Sequence, residues 1–112
     1  MKKEEKEILF KDLCARLPYS VLVKTKKYSF PIELRYLTLD KMPDVKPYLR
    51  PMSSMTKEEK EEYKKVIETL KWTEEFDFYN KYHFDYRELI PMGLALEAPE
   101  GMYDFQKENR DE

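Results

Sequence analysis

Apolar positions along this chain follow first a helical period and then a period of two. Phe10, Leu13, Cys14 and Leu17 recur at i, i+3, i+4 and i+7. That spacing places them on one face of a helix over residues 3–17, and Pro18 ends it by pushing Leu17 out of the α region. Val21 and Val23 then share one face of a strand over 20–24, with Leu22 opposite. Phe30, Ile32, Leu34 and Tyr36 alternate with Pro31, Glu33 and Arg35, the pattern of a half-buried strand over about 30–39. The apolar parity changes at Leu37 and Leu39, which suggests a bulge or an end buried on both faces. The connection Thr25–Ser29 makes the pair a hairpin with a lysine-rich tip.

Residues 40–55, DKMPDVKPYLRPMSSM, show no clear period and contain three prolines. They read as a long loop, with a short strand or a helical turn inside it as an open alternative. Thr56 and Glu59 form a capping box for a helix over 57–71, whose apolar face is Tyr63, Val66, Ile67 and Leu70. Acids crowd its first turns and lysines follow, an order that complements the helix dipole. Thr73 caps a helix over about 74–83, with Phe76, Tyr79 and His83 on one stripe and Phe78 and Tyr82 on the next. Asp85 and Glu88 form a second capping box, for a short helix from Tyr86 that Pro91 ends or bends near Ile90. Gly93 suits a left-handed cap, and LALEA at 94–98 predicts a third strand.

The segregation of strands from helices predicts an α+β fold. A small antiparallel sheet, the hairpin plus the C-terminal strand, packs against the N-terminal helix and two to three further helices. A single domain is expected over 1–100, with residues 101–112 as a polar, frayed tail.

Composition narrows the chemistry. The chain has 112 residues, 41% hydrophobic, 39% charged and 14% aromatic, too aromatic for a disordered chain and too charged for a membrane protein. Its two glycines, Gly93 and Gly101, cannot form a P-loop or a dinucleotide fingerprint. One cysteine and one histidine cannot supply a structural zinc site, a disulfide or a two-histidine iron triad. No cofactor and no metal are therefore expected. No apolar run approaches a membrane span, and the N-terminus MKKEEKEILF lacks the apolar core of a signal peptide. With a lone thiol, that predicts a cytoplasmic protein without membrane contact.

Charge is polarised. Residues 1–51 carry twelve Lys/Arg against seven Asp/Glu, and residues 52–112 carry nine against sixteen. Two halves that attract each other within one fold account for this. A basic face for phosphate or an acidic partner is the functional alternative.

Four stretches, KDLCARLPY (11–19), KPYLRPMSSMT (46–56), FDYRELI (84–90) and GLALEAPEGMY (93–103), together resemble a group of short uncharacterised proteins encoded by anaerobic gut bacteria and by their phages and prophages. The resemblance runs over most of the chain in the same order and implies a phage or mobile-element setting. It implies no activity and transfers no site residue. The group carries an acidic residue where this chain has Pro91, a departure that bears on the last helix.

Several constellations could carry chemistry. His83 and Asp85 could form an acid–base pair if the chain turns between them, whereas a helix-end histidine beside an N-cap aspartate explains both without catalysis. Cys14 could act as a nucleophile, but its place on the apolar stripe predicts core packing. The acids Glu58, Glu62, Glu74, Glu75 and Asp77 read as solvated helix faces. The basic and aromatic set is the candidate interaction surface: Lys24, Lys26, Lys27, Lys46, Tyr48, Leu49 and Arg50, with Tyr28 nearby. Lysines bind phosphate and exposed tyrosines stack on bases. A lysine-decorated sheet edge, which blocks edge-to-edge pairing, is the competing explanation. Tyr48 and Leu49 could instead pin an ordered loop.

The resulting expectation is a small non-catalytic interaction or regulatory module of phage or mobile-element type, with a host or phage protein as partner and a homodimer left open. The alternative is a nucleic-acid-binding accessory protein using the basic hairpin and loop, residues 24–50. A small enzyme centred on His83 is the remote third reading.

Overall fold

The computed structural model describes residues 2–36, 45–68 and 72–104. In order they form helix α1 (Lys3–Arg16), strand β1 (Leu22–Lys24), strand β2 (Ile32–Glu33), strand β3 (Lys46–Leu49), helix α2 (Lys57–Glu68), helix α3 (Trp72–Lys81) and strand β4 (Leu96–Glu97). The sheet order is β2-β1-β3-β4. β1 is antiparallel to β2 and to β3, and β4 joins β3 in parallel. The fold is α+β, with a small sheet packed against an N-terminal helix and two more. The sheet is mixed because the chain returns through α2 and α3 before laying down β4.

The two classes of apolar residue occupy different places. Aliphatic residues of α1 (Leu9, Leu13) pack on the inner face of the sheet (Val21, Val23, Leu49) and on Leu89 and Leu94 of the late loop. Aromatic residues fill the space beside α2 and α3: Phe78, Tyr79 and Phe84 are buried, with Tyr63, Tyr82 and Tyr86 around them. The rings of Phe78 and Phe84 stack at 6.0 Å and those of Tyr79 and Tyr86 at 5.3 Å. Such pairs add about 0.5–1.5 kcal/mol each beyond area burial.

Several expectations change. The buried face of α1 is Leu9, Asp12, Leu13 and Arg16, one residue out of step with the periodic stripe. Phe10 is 49% exposed, Leu17 is exposed, and so is Cys14, which therefore does not pack in the core. A periodic stripe of apolar residues marks a core face only when no better anchor competes. Here the Asp12–Arg16 pair, with both side chains fully buried, turns the helix toward the late loop.

The segment 40–55 is not a loop throughout. Residues 46–49 form β3, an interior strand, although residues 37–44 lie outside the described residues. The predicted strand over 30–39 is shorter, giving way at Leu34 to a 3-10 turn. The capping box of α2 forms as expected: the Thr56 N–H donates to Glu59 Oε1 at 2.8 Å and the Glu59 N–H to Thr56 Oγ1 at 3.2 Å. Ile67 is exposed, so it lies off the buried face of α2, and Leu70 lies outside the described residues. Helix α3 begins at Trp72, so Thr73 stands inside it rather than capping it.

No helix forms over 86–90. Glu88 sits at φ 60°, outside the helical region, and the Asp85 carboxylate accepts the N–H groups of Leu89 (2.8 Å) and Ile90 (2.9 Å) instead of that of Glu88. Residues 101–104 are not frayed either, because Tyr103 is only 4% exposed. Residues 105–112 lie outside the described residues.

Candidate functional site

The structure divides the candidate residues into two groups. One group is consumed inside the fold, around the segment 82–86. Helix α3 ends there with His83 in the left-handed region at φ 64°. The Phe84 N–H donates to the Tyr79 carbonyl at 2.9 Å and the His83 N–H to the Asn80 carbonyl at 3.2 Å. This is the closure usually given to glycine at a helix end, and histidine is among the side chains that tolerate it. The His83 imidazole is fully buried and stacks on the Tyr103 ring, centroids 3.8 Å apart. With the Asp85 carboxylate held by two backbone N–H groups, His83 and Asp85 serve as helix terminus and loop anchor.

Arg50 belongs to the same interior. Its Nη1 and Nη2 each reach a Glu59 carboxylate oxygen at 2.8 Å, and Nη2 also donates to the Ser54 carbonyl at 3.1 Å. The guanidinium lies over the Phe84 ring, 4.4 Å from its centroid. The Arg50 N–H donates to the His83 carbonyl and the Asp85 N–H to the Arg50 carbonyl, both at 2.8 Å. From the other side Arg16, fully buried, donates to Asp12 at 2.8 Å and to the Phe84 carbonyl at 2.5 Å. Arg87 forms an ion pair with Asp12 at 3.2 Å. Two arginines therefore grip one residue, Phe84, by its ring and by its carbonyl.

Leu49 is fully buried and cannot contact a partner. Tyr48 is half-buried, and its carbonyl is joined to β1 through Tyr103. The Leu22 N–H donates to the Tyr103 hydroxyl at 2.9 Å, which in turn donates to the Tyr48 carbonyl at 2.7 Å. Val23 faces Pro47 and Lys24 faces Lys46, so Leu22 and Tyr48 would be the next pair. The hydroxyl stands in the ladder where a direct bond between the strands would run. Burial pushes the Tyr103 phenol well above its ordinary value of 10.0.

The second group is exposed at one end of the sheet. Lys24 closes β1, Lys46 opens β3, and the two face each other directly across the antiparallel pair. Like charges so placed destabilise a sheet. Lys26 and Lys27 follow in the turn, which the Tyr28 N–H stiffens by donating to Thr25 Oγ1 at 3.0 Å. All four lysines are exposed. The Lys27 ammonium lies over the Tyr28 ring at 5.5 Å, and that ring meets Phe30 at 5.6 Å between centroids. Phe30 is 58% exposed. From Leu13 to Ile32 the sequence holds no acid, and Glu33 pairs with Arg35 at 2.5 Å. The edge-protection reading of these lysines fails for Lys24 and Lys46, because β1 and β3 are the two interior strands.

A cleft of about 690 Å³ opens between residues 50–56 and 97–104. Arg50, Ser54, Glu97, Glu100 and Asp104 supply much of its polar lining, and among the described residues no histidine, cysteine or lysine lines it. Its Arg50 is committed to Glu59 and its Ser54 hydroxyl to the Pro51 carbonyl at 2.6 Å. Among the described residues, no three His, Cys, Asp or Glu side chains could hold a metal ion, and no helix is long and apolar enough to cross a membrane.

Sequence reasoning missed Phe30 as an exposed ring. Its place in an alternating run assigned it to the buried face of a strand that the structure starts only at Ile32. Compared with protein-family models, curated proteins and solved structures, the chain matches none of them.

Proposed function

We propose that this protein is a small non-catalytic binding module, of the phage or mobile-element type its sequence resembles, that engages a polyanionic partner through the lysine-bearing end of its sheet. The observation that carries this reading is the Lys24–Lys46 pair on the two interior strands. Facing lysines cost stability in the free protein and need no such place to guard an edge. An anion between them reverses that cost. The placement of His83, Asp85 and Cys14 supports a non-catalytic role, since the first two hold backbone and the third is exposed on α1, away from the buried His83.

Heparin chromatography tests the reading. The chain has a formal net charge of −2, so overall charge disfavours retention. Retention of the wild type at low salt, and its loss in a Lys24→Gln/Lys46→Gln variant, is the expected result. Flow-through of the wild type at low salt would remove the reading.

A further inference from the structure

The rings beside the lysines narrow the kind of polyanion, an inference that rests on the binding surface just proposed. Phe30 and Tyr28 form a contacting ring pair at the turn, and Phe30 leaves more than half of its surface in water. The turn is braced by the Thr25 hydroxyl, so the rings are presented on a stiffened frame and little order remains to be imposed on binding. An acidic peptide would pair with the lysines but would bring no planar face to the exposed Phe30 ring. A flat, bare ring offers what an unpaired base needs, a face to stack on, whatever the base is. Cations on phosphates with aromatic faces between them is the pattern of single-strand binding. A duplex keeps its bases stacked inside and leaves those rings unused.

We infer that this end of the sheet binds single-stranded nucleic acid, with Lys24, Lys46, Lys26 and Lys27 on the phosphates and the Phe30–Tyr28 ring pair stacked on an unpaired base. Two to four phosphate contacts predict a single-strand affinity that falls about 7- to 50-fold between about 50 and 200 mM salt.

Fluorescence anisotropy with a labelled 20-nucleotide oligo-dT and oligo-U tests this, with a duplex of equal length and poly-glutamate as competitors. Phe30→Ala is expected to weaken the single strand at least about fivefold while leaving the salt slope unchanged. Lys24→Gln/Lys46→Gln is expected to flatten the slope by about 1.4. Circular dichroism on both variants confirms that they are folded. If poly-glutamate or the duplex competes as well as the single strand, or if Phe30→Ala binds like the wild type, the inference is overturned. In that event retention on heparin still stands for the polyanion surface. Loss of both brings down the surface as well.

Discussion

The two ends of this small molecule use cations and aromatic rings in opposite ways. Around Phe84, arginines and tyrosines are spent on the protein itself: Arg16 and Arg50 hold its carbonyl and ring, and Tyr103 completes the ladder between β1 and β3. At the hairpin end, lysines face each other across a strand pair and a phenylalanine stays in water. Both regions combine cations with aromatic rings. What distinguishes them in the sequence is where the acids fall. Asp12 and Glu59 are supplied to the first region, while the run 13–32 brings no acid to the second.

Removing a member of the buried pair should separate the regions most sharply. Asp12→Ala leaves Arg16 charged and enclosed, and a loss of about 3–5 kcal/mol is expected in urea unfolding. That is a large share of the roughly 5–15 kcal/mol that holds a typical domain together. Arg50→Ala should cost about 2–3 kcal/mol, because the Glu59 carboxylate loses a bidentate partner while keeping its capping bond to Thr56. Tyr103→Phe, which deletes only the hydroxyl between the strands, should cost about 1–3 kcal/mol. The same hydroxyl has a pH signature. Its folded form resists ionisation while an unfolded tyrosine ionises near pH 10, so its contribution is complete below that pH and is lost as pH rises above it. Alkaline unfolding with a cooperative step in tyrosinate absorbance that shrinks in Tyr103→Phe is the expected readout, and a cooperative step unchanged in Tyr103→Phe would contradict the buried assignment.

Changes at the other end should be nearly silent in the same assay. Lys24→Gln/Lys46→Gln, which removes the facing charges, is expected to gain up to about 0.5 kcal/mol, and Phe30→Ala to stay within about 0.5 kcal/mol of the wild type. A loss above 1 kcal/mol in either would show that the hairpin end is part of the core after all. Cys14 gives the smallest effect. It should react with a maleimide in the folded protein as fast as in urea, and Cys14→Ser should leave stability unchanged.

Local signals predicted local structure well. The capping box of α2, the parity of Val21 and Val23, the left-handed Gly93 and the strand at 96–97 follow from spacing and backbone preference alone. The failures share one cause, a distant partner. Pro47 cannot donate to a ladder, so it argues against an interior strand, yet β3 carries it between β1 and β4. The outward stripe of α1 is as regular as its buried one, and only Phe84, 68 residues away from Arg16, decides between them. Arg50 looks like a surface cation until α2 brings Glu59 beneath it. The lysines at the hairpin tip were legible because their exposure follows from a polar turn between two strands.

The bond from Leu22 to Tyr103 spans 81 residues and the one from Arg16 to Phe84 spans 68. On the ribosome, the first fifth of the chain therefore waits for nearly the last. Until Phe84 emerges, Arg16 has Asp12 but not the carbonyl that ties α1 to the late loop, and until Tyr103 emerges, the central strands lack the hydroxyl that joins them. Topology of this kind folds slowly and leaves apolar surface open meanwhile. The basic hairpin, complete by residue 33 in its own pairing, is the part of the molecule that can take shape while synthesis is still under way.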